Sequence, residues 1–147
     1  MNYLTSLSLD PAWMENHNKH LQAKYEKIRQ CEVRYETQDI EDAEYLIIAF
    51  GSAARIAQKS IELCRAEGIR IGMLRPITLW PFPTQAIQQI SERVKGIMCV
   101  EINAGQMVDD VRLSVMGRCP VCHYGRMGGM VPTPEEIVQE IKTQLIE

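Results

Sequence analysis

Short apolar runs alternate with segments of helical periodicity over most of the chain. Continuous apolar runs at Tyr45–Phe50, Ile69–Leu74 and Ile97–Ile102 predict strands that are buried on both faces, and Pro120–Tyr124 is a weaker fourth candidate. Between and after these runs, apolar residues recur every three or four positions, which predicts amphipathic helices after residues 51, 83, 105 and 133. Strands and helices that alternate through short connections form a parallel sheet with helices on both faces. The pattern therefore predicts an α/β fold.

The first 40 residues follow a different pattern. Asp10 followed by Pro11 is a typical helix start, with an N-capping aspartate and proline at the first helical position. A short strand is predicted next, at Glu32–Glu36. We expect residues 1–40 to be a helical lead-in or docking arm and residues 41–147 to form the α/β domain. The apolar face of the helix needs a partner, and it contains Trp13, His17, Leu21, Tyr25 and Ile28.

Composition and charge exclude several classes of protein. The chain has 147 residues, 46% of them hydrophobic, which suits one globular domain with its own core. The formal net charge of -3 does not favour a nucleic-acid partner, because such proteins neutralise phosphates with a basic surface. The longest apolar run, Tyr45–Phe50, is too short to cross a membrane. An odd number of cysteines, five, without a secretory leader pattern predicts a cytoplasmic, reducing location.

The sequence Cys119-Pro-Val-Cys122-His123 has the spacing of a zinc half-site or a redox pair. A structural zinc site needs a second pair of ligands, and redox pairs usually open a helix. Here the two cysteines fall in or beside a predicted strand, where positions three apart point to opposite faces. We therefore expect neither a metal nor a disulfide at this pair, and a structural role for the lone His123.

Four loops follow predicted strands, and parallel order brings them to one edge of the sheet, where ligands and partners usually bind. These loops are Gly51-Ser52, Arg75–Pro83, Glu101–Gln106 and Gly125–Gly129. We expect no catalytic, cofactor-binding or metal-binding residue among them. The candidate ligand or interface residues are Ser52, Arg75, Trp80, Phe82, Glu101, Asn103, Gln106 and Arg126.

Each candidate leaves alternatives open. The Gly51-Ser52 turn is either an anion-binding helix start or only a tight turn. Glu101, at the end of a buried strand, can be an acid, a base or the partner of an arginine, for which the candidates are Arg75, Arg112, Arg118 and Arg126. Arg126 lies between glycines, and can clamp a phosphate or carboxylate or pack against another subunit. The Trp80 and Phe82 pair, stiffened by prolines, is an interface anchor or a core anchor.

Three ordered motifs resemble the alpha-type chain of 2-oxoacid:ferredoxin oxidoreductases, and the branched-chain type that acts on 2-oxoisovalerate is the nearest match. The motifs are Arg75-Pro-Ile-Thr-Leu-Trp-Pro-Phe-Pro83, Glu101-Ile-Asn-Ala-Gly-Gln-Met-Val-Asp-Asp-Val-Arg112 and Tyr124-Gly-Arg-Met-Gly-Gly-Met-Val-Pro-Thr-Pro-Glu-Glu136. The segment from His17 to Tyr25 also resembles the helix that precedes this domain in the family. The resemblance covers only the C-terminal part of such a chain. It implies a domain like the transketolase C-terminal domain, a three-layer α/β/α unit with a mostly parallel five-stranded sheet.

The resemblance also implies a division of labour. Enzymes of this family bind thiamine diphosphate between two other modules, and a Gly-Asp-Gly motif that holds magnesium lies in one of them. This chain has no such motif, and the family's iron–sulfur clusters lie on other chains or domains. The implied partners are the thiamine-binding modules and other subunits, with ferredoxin and coenzyme A serving the whole complex; a homodimer is possible.

Two functions remain open on the sequence. In the first, the chain is a non-catalytic assembly domain of a thiamine-dependent oxidoreductase, helps to wall its active site, and is inactive alone. In the second, it is a free-standing α/β module that binds a small anion at the carboxyl ends of the strands.

Overall fold

The computed structural model describes residues 7–147, so the first six residues of the predicted lead-in lie outside the described part. Strands and helices alternate along the chain. In order they are α1 (Pro11–Cys31), β1 (Tyr35–Gln38), β2 (Tyr45–Ala49), α2 (Gly51–Ala66), β3 (Ile71–Pro76), α3 (Thr84–Ser91), β4 (Gly96–Glu101), α4 (Met107–Val115), β5 (Val121–Gly125), α5 (Pro134–Ile141) and a terminal π-helical turn (Lys142–Ile146).

The five strands form one sheet in the order β1-β3-β2-β4-β5. β3, β2, β4 and β5 run parallel, and β1 joins β3 antiparallel at one side. The predicted α/β fold with a mostly parallel five-stranded sheet is therefore confirmed. Because four strands share one direction, the loops that follow β2, β3, β4 and β5 leave the sheet on the same side. We call this side the carboxyl edge.

Two apolar clusters lie on opposite faces of the sheet, and the central strand β2 contributes to both. Ile47 and Ala49 pack with α2 and α5, whereas Leu46 and Ile48 pack with α3 and α4. All four side chains are fully buried. A strand covered by helices on both faces has no polar side, which explains the continuous apolar run in the sequence. Full burial of a large aliphatic side chain stabilises the fold by about 1.5–3 kcal/mol.

Several predicted boundaries were wrong by one to three residues. The strand predicted at Glu32–Glu36 is β1, at Tyr35–Gln38, because its register is set by four pairings with β3 and not by its own exposed sequence. The strand predicted from Ile69 begins at Ile71, since the Ile69 N–H closes the turn after α2 by donating to the Cys64 carbonyl. The helix predicted after residue 105 begins at Met107, because the Glu101 carboxylate accepts the first N–H groups of the helix there.

The amino-terminal helix begins as predicted. The Asp10 carboxylate accepts hydrogen bonds from the N–H groups of Ala12 and Trp13, at 3.0 and 3.2 Å. None of the residues of α1 is buried, so the helix lies on the surface of the domain. β1, which also falls within residues 1–40, is part of the sheet. The proposed division of the chain at residue 40 stays a prediction.

The two cysteines of the Cys119–Cys122 motif lie on opposite faces of the sheet. Cys119 belongs to the cluster beneath α3 and α4, and Cys122 packs against the cluster beneath α2 and α5. This confirms the predicted alternation. Burial raises the pKa of both thiols, which disfavours the thiolate that metal binding and disulfide exchange require.

No helix within residues 7–147 has the length and apolar character needed to cross a membrane.

Candidate functional site

A cavity of about 570 Å³ opens at the carboxyl edge, between the ends of β2 and β4. We call it the edge pocket. Ser52, in the first turn of α2, contributes to one wall, and Asn103 and Gln106, in the loop after β4, contribute to another. Apolar walls come from the residues that follow three of the strands: Phe50, Leu79 and Ile102. The pocket thus combines a few polar groups with a largely apolar lining.

The Glu101 carboxylate lies buried beneath this pocket, at the last residue of β4. It accepts hydrogen bonds from the N–H groups of Met107 at 2.8 Å, Val108 at 3.1 Å and Gln106 at 3.2 and 3.3 Å. These are the first N–H groups of α4, which have no partner within the helix. Gln106 occupies the N-cap position but offers no side-chain cap. Glu101 therefore caps α4 from the preceding strand, and α4 begins where this carboxylate reaches it.

The electrostatics of Glu101 follow from these contacts. Burial alone would raise the pKa of Glu101, but the N–H groups of Met107, Val108 and Gln106, with the Asn103 amide, outweigh burial and hold that pKa below its ordinary value. The positive end of the α4 dipole acts in the same direction. Glu101 is consequently a carboxylate at neutral pH, and its oxygens accept hydrogen bonds from the loop and from the start of α4. This arrangement favours a structural role over that of a general acid or base.

The Asn103 side chain connects the loop after β4 to the Glu101 carboxylate. Its side-chain nitrogen donates to Glu101 Oε1 at 3.2 Å, and its side-chain oxygen accepts the Gly105 N–H at 2.7 Å. Gly105 has a φ of +112°, a conformation that a residue with a Cβ rarely adopts. The polar wall of the edge pocket is therefore held in place by one buried charge.

The four arginines considered as partners for Glu101 have other side-chain partners. Arg75 pairs with Glu36 at 3.0 Å and so joins β3 to β1. Arg126 pairs with Glu136 at 2.8 Å, and only its backbone N–H reaches the Glu101 carbonyl, at 3.4 Å. The remaining two pair with neighbouring acids, Arg112 with Asp109 and Arg118 with Glu92.

Arg126 is part of a cluster at the start of α5. Glu136 accepts hydrogen bonds from Arg126, from the Tyr124 hydroxyl at 3.1 Å and from the Thr133 N–H at 2.9 Å. The Thr133 hydroxyl in turn accepts the Glu136 N–H, which completes a capping box. Arg126 thus fastens the glycine-rich loop to α5, and its role as a clamp for a phosphate or carboxylate stays a prediction. Its flanking glycines had suggested the clamp, and its pairing with Glu136 ten residues later carries no local sequence signal.

Trp80 and Phe82 have different environments. The Trp80 side chain is half exposed, and its ring meets the edge of Tyr25 at a centroid distance of 5.6 Å. The Arg29 guanidinium lies 5.8 Å from the Trp80 ring centroid. Phe82 is half-buried and packs against the core beneath α3. The loop is therefore anchored by Phe82, while Trp80 connects it to α1 at the surface.

The eight candidate residues thus separate into two groups. Ser52, Glu101, Asn103 and Gln106 line the edge pocket. The other four are not among its lining residues: Arg75, Trp80, Phe82 and Arg126. Sequence reasoning did not connect His123 with this region, although its Nε2 lies 3.5 Å from Glu101 Oε2. The connection depends on the register of β5 against β4, which pairs His123 with Cys99 and which no local pattern shows.

Within residues 7–147, no cluster of three or more His, Cys, Asp or Glu side chains has a geometry that could hold a metal ion. The residues at the carboxyl edge do not fit a magnesium or iron–sulfur site. Glu101, the buried carboxylate of the region, faces backbone N–H and amide donors, whose positive ends would repel a cation.

We predict that Glu101→Gln destabilises the chain by about 1–3 kcal/mol at pH 7, because the amide turns a donor towards N–H groups that need an acceptor. Since folding lowers the pKa of Glu101, its stabilisation is complete above about pH 4.3, the pKa of glutamate in unfolded chains, and is lost as the pH falls through the lower folded-state value. Urea unfolding at a series of pH values measures the difference in unfolding free energy between the native chain and Glu101→Gln. Glu41→Gln, at an exposed position, is the control. A Glu101→Gln effect that stays constant down to pH 2 contradicts the assignment.

Comparison with known proteins agrees with this architecture. Residues 43–137 match the family described as pyruvate:ferredoxin oxidoreductase core domain II. The chain is 39% identical over 141 residues to the ketoisovalerate oxidoreductase subunit VorB of Methanothermobacter thermautotrophicus, an alignment that covers 96% of this chain and 40% of that subunit. This chain therefore corresponds to well under half the length of that relative.

Two solved structures share the fold. A 2-oxoglutarate:ferredoxin oxidoreductase from Magnetococcus marinus, with 2-oxoglutarate, coenzyme A and succinyl-CoA bound, superposes with a TM-score of 0.79 at 24% identity, over 94% of this chain and 24% of that one. A split-gene transketolase, an inactive β4 tetramer, superposes with a TM-score of 0.65 at 17% identity, over 76% of this chain and 41% of that one. With a family match over more than half of its length, and this fold, the chain belongs to the pyruvate:ferredoxin oxidoreductase core domain II family.

Proposed function

We propose that this chain is the non-catalytic assembly domain of a thiamine-diphosphate-dependent 2-oxoacid:ferredoxin oxidoreductase. In this proposal the whole complex makes acyl-CoA from a 2-oxoacid and coenzyme A and passes electrons to ferredoxin. The 39% identity to a ketoisovalerate oxidoreductase subunit favours 2-oxoisovalerate as the 2-oxoacid. The role of this domain is to dock the thiamine-binding modules at its carboxyl edge and to form part of the active-site wall.

The observation that carries the proposal is an apolar surface at the carboxyl edge. Phe50, Leu79 and Ile102 expose 42%, 46% and 37% of their surface, and all three line the edge pocket. Phe50 and Ile102 directly follow β2 and β4, so the topology itself gathers them at one place. Large apolar side chains grouped around a concave surface mark protein interfaces and binding grooves. A neighbouring module that covers them gains the free energy of their burial.

The chemistry of the complex belongs to other modules in this proposal. Thiamine diphosphate with its magnesium supplies the group that takes up the 2-oxoacid, and iron–sulfur clusters supply the electron path. The absence of a Gly-Asp-Gly motif from the sequence supports this division. The residues of this chain then contribute shape: Glu101 holds the loop of Asn103 and Gln106, and the apolar rim excludes water where the modules meet.

One observation favours the alternative function, a free-standing module that binds a small anion. The first turn of α2 opens onto the edge pocket and has neither a side-chain cap nor an acidic residue. Backbone N–H groups at such a helix start attract anions. Binding of inorganic phosphate or a 2-oxoacid by the isolated chain, measured by calorimetry and lost in Ser52→Asp, would support this alternative.

We predict that oxidation of 2-oxoisovalerate requires this chain and the thiamine-binding modules together. The assay contains thiamine diphosphate, magnesium, coenzyme A and an electron acceptor, and it compares this chain alone, the partner modules alone and the mixture. Activity is expected in the mixture and absent from this chain alone. Turnover proportional to the concentration of this chain without partners contradicts the proposal.

We predict that Trp80→Ala weakens assembly with the partner modules by about 2 kcal/mol or more. Trp80 is a half-exposed aromatic side chain next to Leu79 of the edge pocket, and truncation of an aromatic interface anchor typically costs that much. The domain itself stays folded, since Trp80 is half exposed and packs on the surface helix α1. Co-purification measures assembly, and circular dichroism measures folding.

The matched control for this experiment is Trp13→Ala. Trp13 is exposed to a similar extent as Trp80, 51% against 53%, but it stacks on His17 of its own helix. An interface role for Trp80 is refuted if the two variants assemble equally well, or if Trp80→Ala unfolds the isolated chain.

A further inference from the structure

His123 is a half-buried imidazole whose Nε2 atom has no conventional hydrogen-bond partner. Its Nε2 atom is buried and makes no hydrogen bond with the described part of the chain. A buried polar atom left in this state calls for an explanation, because nearly all such atoms in native proteins are satisfied. The nearest charged group is Glu101, whose Oε2 lies 3.5 Å from Nε2, and the side chains of the pair expose only 20% and 5% of their surface.

The fold makes room for this ring on two sides. A Cβ added to Gly125 would lie 2.8 Å from His123 Cε1 and 3.1 Å from Nε2, and one added to Gly105 would lie 3.6 Å from Nε2. The ring therefore sits in a slot between the edge strand β5 and the loop after β4. Movement of that loop away from β5 would open the slot. The Glu101 carboxylate that the ring approaches is also the group to which the loop is hydrogen-bonded, so it connects β5 with the loop.

The groups around the His123 ring determine which of its two nitrogens carries the proton. A neutral imidazole carries one N–H and one lone pair, and an imidazolium carries two N–H groups. A lone pair on Nε2 would face the negatively charged oxygen of Glu101 and repel it. A proton on Nε2 faces an acceptor. Cys99, opposite His123 in the sheet, approaches the same Oε2 with its thiol at 3.7 Å and is itself a donor.

We propose that His123 is a positioning residue that carries its proton on Nε2 and donates it towards Glu101, so that edge strand β5 secures the loop of the edge pocket. The same carboxylate then receives donors from its own strand (Cys99), from the loop (Asn103), from the start of α4 and from β5. This inference concerns the edge named in the proposed function and rests on that function only for its effect on assembly. The Glu101 carboxylate thus connects the pocket wall to α4 on one side and to β5 on the other.

The first test is direct observation of the ring. The chain has three histidines, so long-range proton–nitrogen NMR of the ¹⁵N-labelled chain gives three ring systems, and a His123→Gln sample assigns the one of interest. At a pH where the ring is neutral, we expect the proton of His123 on Nε2. His17 and His20, exposed on α1, are internal references. A proton on Nδ1 with a bare Nε2 overturns the proposal, and this measurement needs no variant to fold.

The second test separates donation from mere packing. His123→Gln keeps an N–H donor near the position of Nε2, whereas His123→Leu keeps apolar volume and removes the donor. Amide hydrogen exchange of Gln106, Met107 and Val108 is the readout, because these N–H groups bind the Glu101 carboxylate. We expect exchange about tenfold faster in His123→Leu than in the native chain, and largely restored in His123→Gln. His20→Gln is the control for an exposed histidine.

Equal protection in the Leu and Gln variants overturns the proposal and leaves His123 a packing residue. Both tests use the chain without partners. A failure of assembly with the thiamine-binding modules therefore refutes the proposed function without touching this inference, and a wrong tautomer refutes this inference without touching the proposed function.

Discussion

The buried carboxylate of Glu101 is the interaction on which the functional edge of this domain depends. It ends β4, accepts the free N–H groups at the start of α4, and binds the Asn103 amide of the intervening loop. Burial of a charge is costly unless its hydrogen-bonding capacity is filled, and here backbone groups that themselves lack partners fill it. Strand, loop and helix thus satisfy one another, and the five residues that connect β4 to α4 form a defined wall of the edge pocket.

The parallel order of the sheet then determines what this wall can do. The four parallel strands β3, β2, β4 and β5 all end at the carboxyl edge. The residues that follow them therefore lie together at that edge. Phe50, Leu79 and Ile102 make that edge apolar, while Ser52, Asn103 and Gln106 add polar groups. A domain that supplies shape and burial to a neighbouring module needs this combination. It does not need a nucleophile, an acid or a metal ligand of its own.

Most of the fold was predictable because it rests on local patterns. Tyr45–Phe50 reads as a buried strand from its continuous apolar side chains, and Asp10 and Thr133 mark helix starts by their capping chemistry. What escaped prediction depends on pairings between distant segments. The position of β1 follows from its register with β3, the contact of His123 with Glu101 from the register of β5, and the pairing of Arg126 with Glu136 from the fold of a loop. No property of those residues taken alone indicates their partners.

Hydrogen–deuterium exchange of this chain, free and assembled with the proposed thiamine-binding modules, measures whether the carboxyl edge is the docking surface. Partner binding protects the backbone that it covers. We predict new protection at residues 50–53, 77–80 and 102–106, which form the carboxyl edge. Little change is expected at residues 67–70 and 92–95, which precede β3 and β4 at the opposite edge. Protection confined to that opposite edge, or no new protection in a complex that demonstrably forms, would contradict docking at the carboxyl edge.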